Sequence, residues 1–293
     1  MSQKVALVLS SGGARGLAHI GVIEALEEKG YEITSVSGSS MGAVVGAFYA
    51  CGKLKEYKEW ALNLDRYDVF KLIDFTFSVQ GFVKGERVFK TLKTIIPDQN
   101  IEDMRIPFAA LVTDIKAKTQ EVFRTGSMYQ AIKASVAIPT VIKPVVINGR
   151  EYIDGGVTNP IPIEHVHRTE GDILVVSNVN AIMPFVKIKE SPVLEAESAT
   201  YNQKIQAFIN GWGKLLPGNT ETEKKLGFFD LLNESIDLMQ DKLTSLLLEK
   251  YKPDLLVNIS REACSTFEFY KAKEMIELGK DLFEAAYQAK RRD

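Results

Sequence analysis

Apolar residues in this chain fall into two kinds of run. Val5-Ala6-Leu7-Val8-Leu9, Ile173-Leu174-Val175-Val176 and Leu255-Leu256-Val257-Asn258-Ile259 are short and nearly continuous, which predicts strands covered on both faces of a sheet. Other apolar positions recur every three or four residues. Leu17, Ile20, Ile23 and Leu26 make a stripe that stops at Gly30, and the run after Gly42 is apolar almost throughout and stops at Gly52. Both read as helices with glycine just past the C-terminal end. With the β-branched run Ile33-Thr34-Ser35-Val36 between them, the chain opens as strand, turn, helix, strand, turn, helix. That order favours a parallel sheet, with both turns at the carboxyl ends of their strands, where open α/β sheets place their sites.

Farther along, Lys53–Tyr67 reads as a charged surface helix, and Arg87–Ile96 and Met128–Val136 as further helices. Between the first two lies an aromatic, irregular stretch with Phe70, Phe75, Phe77 and Phe82, read either as a loop packed on the core or as the rim of an acyl pocket. Phe108–Thr113 and Glu121–Phe123 predict a strand pair. Asn148-Gly149 between Val145–Ile147 and Glu151–Ile153 is a type I′ hairpin signal, and the second of those strands runs into Asp154-Gly155-Gly156. Pro184, Pro192 and Pro217 interrupt the pattern over 180–226, where Phe208, Trp212, Leu215 and Leu216 suit one face of a helix. Phe229, Leu232, Ile236, Met239, Leu243 and Leu246 form an amphipathic stripe, read first as core packing and second as a dimer or membrane-facing surface. The last helix spans about Tyr270–Lys290, with its stripe at Met275, Gly279, Leu282, Phe283 and Ala286, and returns with the late strand to the first sheet.

Composition changes this picture little. The chain has 293 residues, 45% hydrophobic and 25% charged, as expected of a globular protein with a substantial core. A net charge of −2 does not suggest a nucleic-acid partner. Two cysteines far apart, Cys51 and Cys264, define neither a disulfide framework nor a metal site. No signal-peptide core and no apolar run of the ~18 residues needed to span a bilayer is seen, so a cytoplasmic location is expected.

The candidate chemistry lies at the two early turns. Gly38-Ser39-Ser40-Met41-Gly42 is a G-x-S-x-G pattern between a strand and a buried helix, a context in which a tight turn exposes one hydroxyl. Ser40 then stands at a helix N-terminus, where free N–H groups favour developing negative charge. At the first turn, Gly12-Gly13, followed by Arg15 and Gly16, offers backbone N–H groups with no side chain in the way. The competing reading is a dinucleotide loop, but Ser11-x-Gly13-x-x-Gly16 is one residue short of that fingerprint. The second strand, moreover, ends in Gly38-Ser39-Ser40 rather than an acid. An activated serine needs a base. Of the three histidines, His19 falls on the polar side of the first helix, and His165 and His167 lie in a short amphipathic stretch; all three read as surface or half-buried. Asp154 ends a strand on a tight Asp-Gly-Gly turn, and a buried carboxylate can serve as base if its pKa rises. From the residues alone, a Ser40–Asp154 dyad, a triad through His165 or His167, and an Asx turn with no chemistry all remain open.

Four segments in this order resemble the patatin-like phospholipases, most closely their compact bacterial members: Gly12-Gly13-Ala14-Arg15-Gly16, Gly38-Ser39-Ser40-Met41-Gly42, Ala134-Ser135-Val136-Ala137-Ile138-Pro139, and Asp154-Gly155-Gly156. The resemblance covers about residues 4–180 and, weakly, the C-terminal strand and helix. It implies a three-layer α/β fold with a mostly parallel central sheet and helices on both faces. It also implies a Ser–Asp dyad without a histidine, Ser40 as nucleophile and Asp154 as base. Gly12 and Gly13 would be oxyanion donors with Arg15 beside them, and Gly16, Gly38, Gly42, Gly155 and Gly156 would support the turns. The implied substrates are acyl esters, typically phospholipids or lysophospholipids, with no metal or organic cofactor. The nearest alternative is a soluble short-chain carboxylesterase or thioesterase; a regulatory or binding protein on the same scaffold is the alternative of another class. One domain over 1–293 is expected, with 180–250 as a helical lid or oligomer contact. Peripheral membrane contact and a homodimer are further expectations.

Overall fold

Eight strands form a single sheet in the computed structural model, which describes residues 2–72, 85–185 and 228–292. They are β1 (Lys4–Leu9), β2 (Glu32–Ser39), β3 (Phe108–Asp114), β4 (Thr119–Phe123), β5 (Val145–Ile147), β6 (Arg150–Asp154), β7 (Ile173–Ala181) and β8 (Leu255–Ser260). Their order is β5-β6-β3-β2-β1-β7-β8, with β4 paired to β3. The run β3-β2-β1-β7-β8 is parallel, whereas β4 and β6 pair antiparallel with β3, and β5 with β6. The Asn148-Gly149 turn has positive φ at both residues, 51° and 77°, as a type I′ hairpin requires.

Strand alternation divides the core into two. Val5, Leu7 and Leu9 of β1 join one cluster with α1 (Ala18–Glu28), α2 (Met41–Ala50) and α8 (Ala272–Lys290). Ala6 and Val8 point the other way, into a smaller cluster with Ile161, Ile163, Leu174 and Val176. That second face is covered partly by Leu247, Leu248 and Tyr251 from the end of α7 (Phe228–Tyr251). Continuous apolar runs were therefore the right signal for strands buried on both faces.

Three expectations need correction. The charged helix predicted over Lys53–Tyr67 is two helices, α3 (Leu54–Leu62) and α4 (Arg66–Leu72). The stripe on α7 is not core: Leu232, Met239 and Leu246 are 36%, 54% and 49% exposed. Only the last turns of α7 join the second cluster, so its periodicity reports an amphipathic helix and not what covers it. His19 is fully buried instead of polar-facing, because α1 is packed between the sheet and α8. Phe75, Phe77, Phe82, Phe208, Trp212, Leu215, Leu216 and the side chain of Phe229 lie outside the described residues. The two helices α5 (Glu86–Ile95) and α6 (Met128–Ser135) fall within one or two residues of their predicted spans.

The contact of α1 with α8 depends on two glycines. A Cβ at Gly21 would stand 1.9 Å from Ile276 O, and one at Gly279 would stand 2.1 Å from Ala18 O. These are backbone atoms, so the helices must separate to admit even a methyl group. Gly279→Ala is accordingly expected to lower stability in a denaturant titration, since overpacking of about 1–3 kcal/mol outweighs the ~1 kcal/mol that alanine gains in helix propensity.

Candidate active site

The site follows from how strands end. Leu9 of β1 lies opposite Gly38 of β2, so the turns that follow these two strands are neighbours. Gly42 lets the first turn of α2 close onto β1: a Cβ there would lie 2.2 Å from Leu9 O. The third component arrives along β3. Ser39 is opposite Leu111, Asp154 is opposite the next residue, Val112, and β4 occupies the other edge of both. Thus β2 and β6 share one edge of β3, running toward each other and ending head to head. The 114-residue separation between Ser40 and Asp154 is closed by that register, and the Ser40 hydroxyl donates to Asp154 Oδ2 at 2.6 Å.

Ser40 is held in an unusual backbone conformation, φ 52° and ψ −122°. A non-glycine residue there carries strain of about 1–3 kcal/mol, which persists only where the surroundings fix it. They do so here. Ser40 O accepts from the amides of Ala43 and Val44 at 2.9 and 3.2 Å, starting α2. Ser40 N donates to Ser135 Oγ at 2.9 Å, and that hydroxyl donates to Leu111 O at 2.6 Å. Ser135 thus clamps the elbow to β3.

Asp154 is 6% exposed and equally constrained. Its Oδ1 accepts from Gly156 N at 2.7 Å, its own N–H donates to Ala137 O at 3.0 Å, and its carbonyl accepts from Thr113 Oγ1 at 3.0 Å. Burial raises its pKa to about 6, while the bonds from Ser40 and Gly156 pull the other way. A carboxylate in this state can take a proton from the adjacent hydroxyl near neutral pH.

Gly12 and Gly13 lie beside Ser40 on the wall of one cavity. Among the described residues neither N–H has an acceptor, whereas Ser11 N donates to Pro160 O at 2.8 Å and Ala14 N to Thr266 O at 2.9 Å. Gly13 has φ +55°, and a Cβ there would meet Thr266 O at 2.7 Å, so the position requires glycine. The Arg15 guanidinium is engaged away from Ser40 through both Nη atoms, while its buried Nε has no hydrogen-bond partner among the described residues. Nη1 donates to Arg261 O at 3.1 Å and Cys264 O at 3.2 Å, and Nη2 to Asn180 Oδ1 at 3.0 Å.

Two cavities meet at Ser40. One, of about 150 Å³, is almost wholly apolar, with Val44, Tyr57, Trp60, Val88, Phe89 and Leu92 in its wall. The other, of about 170 Å³, is mixed: Ser11, Arg15, Asp154, Asn180, Asp237 and Gln240 bring polar groups to a wall that is otherwise mainly apolar. Ser40, Gly13, Ile138, Val141, Thr266 and Phe267 border both.

The histidines lie elsewhere. His19 donates through Nε2 to Ser10 O at 2.9 Å, since a carbonyl can only accept, and its Nδ1 accepts from Ser177 Oγ at 2.8 Å. Burial lowers its pKa to about 4, so the ring is neutral at ordinary pH. His165 and His167 border neither cavity; the first stands 3.6 Å from Glu164 and the second is exposed. The residues that sequence reasoning missed are Ser135, Thr113 and Asn180. Ser135 sits in a segment singled out for its pattern, but nothing in the pattern assigned it a bond, and Asn180 carried no signal at all.

The patatin-like phospholipase family profile matches residues 7–167, which include the whole Ser40–Asp154 pair. An uncharacterized NTE family protein of Mycobacterium tuberculosis is 32% identical over 98% of this chain and 92% of its own length. Patatin-like phospholipase domain-containing protein 6 of Homo sapiens is 30% identical over 73% of this chain, which spans 15% of that protein. Neuropathy target esterase sws of Drosophila melanogaster is 31% identical over 56% of this chain and 12% of its own. The chain belongs to the patatin-like phospholipase family. No helix among the described residues is long and apolar enough to cross a membrane.

Proposed function

We propose that this protein is a serine acyl hydrolase that cleaves carboxylic ester bonds of lipids, phospholipids or lysophospholipids, with Ser40 and Asp154 as its catalytic pair. The observation that carries this reading is the 2.6 Å bond from Ser40 Oγ to a buried carboxylate at the junction of an apolar chamber and a more polar one. The acyl chain occupies the apolar chamber and the alcohol side of the ester occupies the more polar one. Asp154 Oδ2 takes the Ser40 proton as Oγ attacks the ester carbonyl. The carbonyl oxygen becomes an oxyanion and accepts from the N–H groups of Gly12 and Gly13. Collapse breaks the ester C–O bond; the leaving alkoxide takes the proton from Asp154, and the acyl group stays on Ser40. Water then gives a proton to Asp154 and adds to the acyl carbon. A second collapse returns that proton to Ser40 Oγ and frees the acid. Each well-placed oxyanion donor is worth about 3 kcal/mol in such a transition state. A histidine triad is disfavoured because Asp154 already fills the position a base must occupy.

Hydrolysis of a lipid panel tests the reading, with phospholipids, lysophospholipids, short-chain esters and thioesters presented as monomers and as vesicles. The expected result is preference for long-chain lipid esters over short-chain esters and thioesters. Equal or better turnover of short-chain substrates would move the assignment to a soluble carboxylesterase or thioesterase. A fluorophosphonate that fails to label the folded protein would instead favour a regulatory or binding role.

A further inference from the structure

A trans peptide directs its C=O and the following N–H to opposite sides. Whatever holds Ser11 O therefore aims the Gly12 N–H. Among the described residues two donors hold it: Asn180 Nδ2 at 2.8 Å and Ser10 Oγ at 3.0 Å. An asparagine amide has the same shape when turned over, so its neighbour must decide which end faces Ser11. Arg15 Nη2 stands 3.0 Å from Asn180 Oδ1, and a guanidinium can only donate. The amide is thereby fixed with oxygen toward Arg15 and nitrogen toward Ser11. Arg15 is fixed in turn by the carbonyls of Arg261 and Cys264, and the main-chain N–H of Asn180 by Asn178 Oδ1 at 3.1 Å. This grip matters because a peptide leading into glycine can turn over with little steric hindrance. If it did, the chamber would present a carbonyl oxygen to the oxyanion in place of a donor.

We propose that Asn180 is a positioning residue that locks the Ser11–Gly12 peptide with its N–H available to the oxyanion, and that Arg15 acts through Asn180 and not on the substrate. This inference rests on the acyl-hydrolase reading of Ser40 and Asp154. It places the end of β7, outside the residues 7–167 matched by the family profile, in control of the first glycine turn.

The test is Asn180→Asp, which keeps the shape and removes the Nδ2 donor. Loss of an oxyanion donor costs about 100- to 1,000-fold in kcat, and a misdirected one is expected to cost about 10- to 100-fold. KM should stay within about threefold, because the oxyanion exists only in the transition state. Affinity for a trifluoromethyl ketone, which adds a serine oxygen to form a tetrahedral oxyanion, should fall by a factor similar to that in kcat. Affinity for the corresponding unreactive alcohol should hold. Arg15→Gln should show the same split with a smaller drop, and the double variant should be no worse than Asn180→Asp alone, since both act on one peptide. If Asn180→Asp does not fold, Ser10→Ala removes the other grip on Ser11 O and should give the same split at several-fold. A wild-type kcat with unchanged ketone affinity, equal loss for ketone and alcohol, or a fall in melting temperature alone would overturn the inference. Labelling of the wild type by a fluorophosphonate and inactivity of Ser40→Ala are measured alongside. If those fail, the hydrolase reading fails; if they hold and Asn180→Asp behaves as wild type, only the role of Asn180 does.

Discussion

Ser40→Ala is expected to lose turnover of an acyl ester by about 10,000-fold or more, because no acyl-enzyme can form without the hydroxyl. The protein should remain folded, since the replaced oxygen bonds only Asp154 among the described residues. A second substitution separates chemistry from strain. Ser40→Gly removes the same hydroxyl and also relieves φ 52° and ψ −122°. The strain released is about 1–3 kcal/mol, against ~1 kcal/mol of added chain entropy for glycine. Both variants should be inactive and unlabelled by a fluorophosphonate, but Ser40→Gly should melt at a higher temperature than Ser40→Ala. Retention of wild-type turnover by either would remove Ser40 from the mechanism. Equal melting temperatures would show that the elbow is not a store of strain.

As the proposed base, Asp154 is expected to govern the pH dependence, in opposite senses for activity and stability. Only the carboxylate can accept the Ser40 proton, so kcat/KM should rise tenfold per pH unit below about 6, the raised pKa of this buried group, and level off above it. Asp154→Asn should cost about 1,000-fold or more and abolish that limb. Stability runs the other way. The folded-state pKa lies above the ordinary carboxylate value of 3.8, so the native state binds this proton more tightly than the unfolded chain does. The resulting stabilisation is complete below pH 3.8 and is lost as pH rises through about 6. Above that, the buried charge opposes folding by up to about 3 kcal/mol. At pH 8 Asp154→Asn should therefore melt no lower than wild type while being nearly inactive. An acid limb that survives in Asp154→Asn would show that another group is the base.

Much of the fold was legible because short-range physics dictates it. Val5–Leu9 can be soluble only if both its faces are covered, so its run announces a central strand. Asn148-Gly149 supplies the two positive φ values of a tight hairpin at low cost. G-x-S-x-G was informative because Gly38 and Gly42 are the residues that let a strand, a strained serine and a helix fit into five positions. His19 was misread because helical periodicity assigns one face to the core, whereas α1 is enclosed on more than one. A buried imidazole is also stable once Ser10 and Ser177 satisfy both nitrogens. The α7 stripe was misread for the converse reason: a pattern shows that a face is apolar, not what lies against it.

What the sequence determined by itself, then, is local: which runs become strands, where the turns fall, and which hydroxyl and which carboxyl occupy turns at strand ends. Only the tertiary structure decided that these two groups meet, because the meeting depends on β2 and β6 sharing one edge of β3, a pairing register that no local spacing encodes. The same holds for the carboxylate's raised pKa and for the hold of Asn180 on Ser11. Burial and hydrogen bonding between distant segments exist only once the sheet has been assembled.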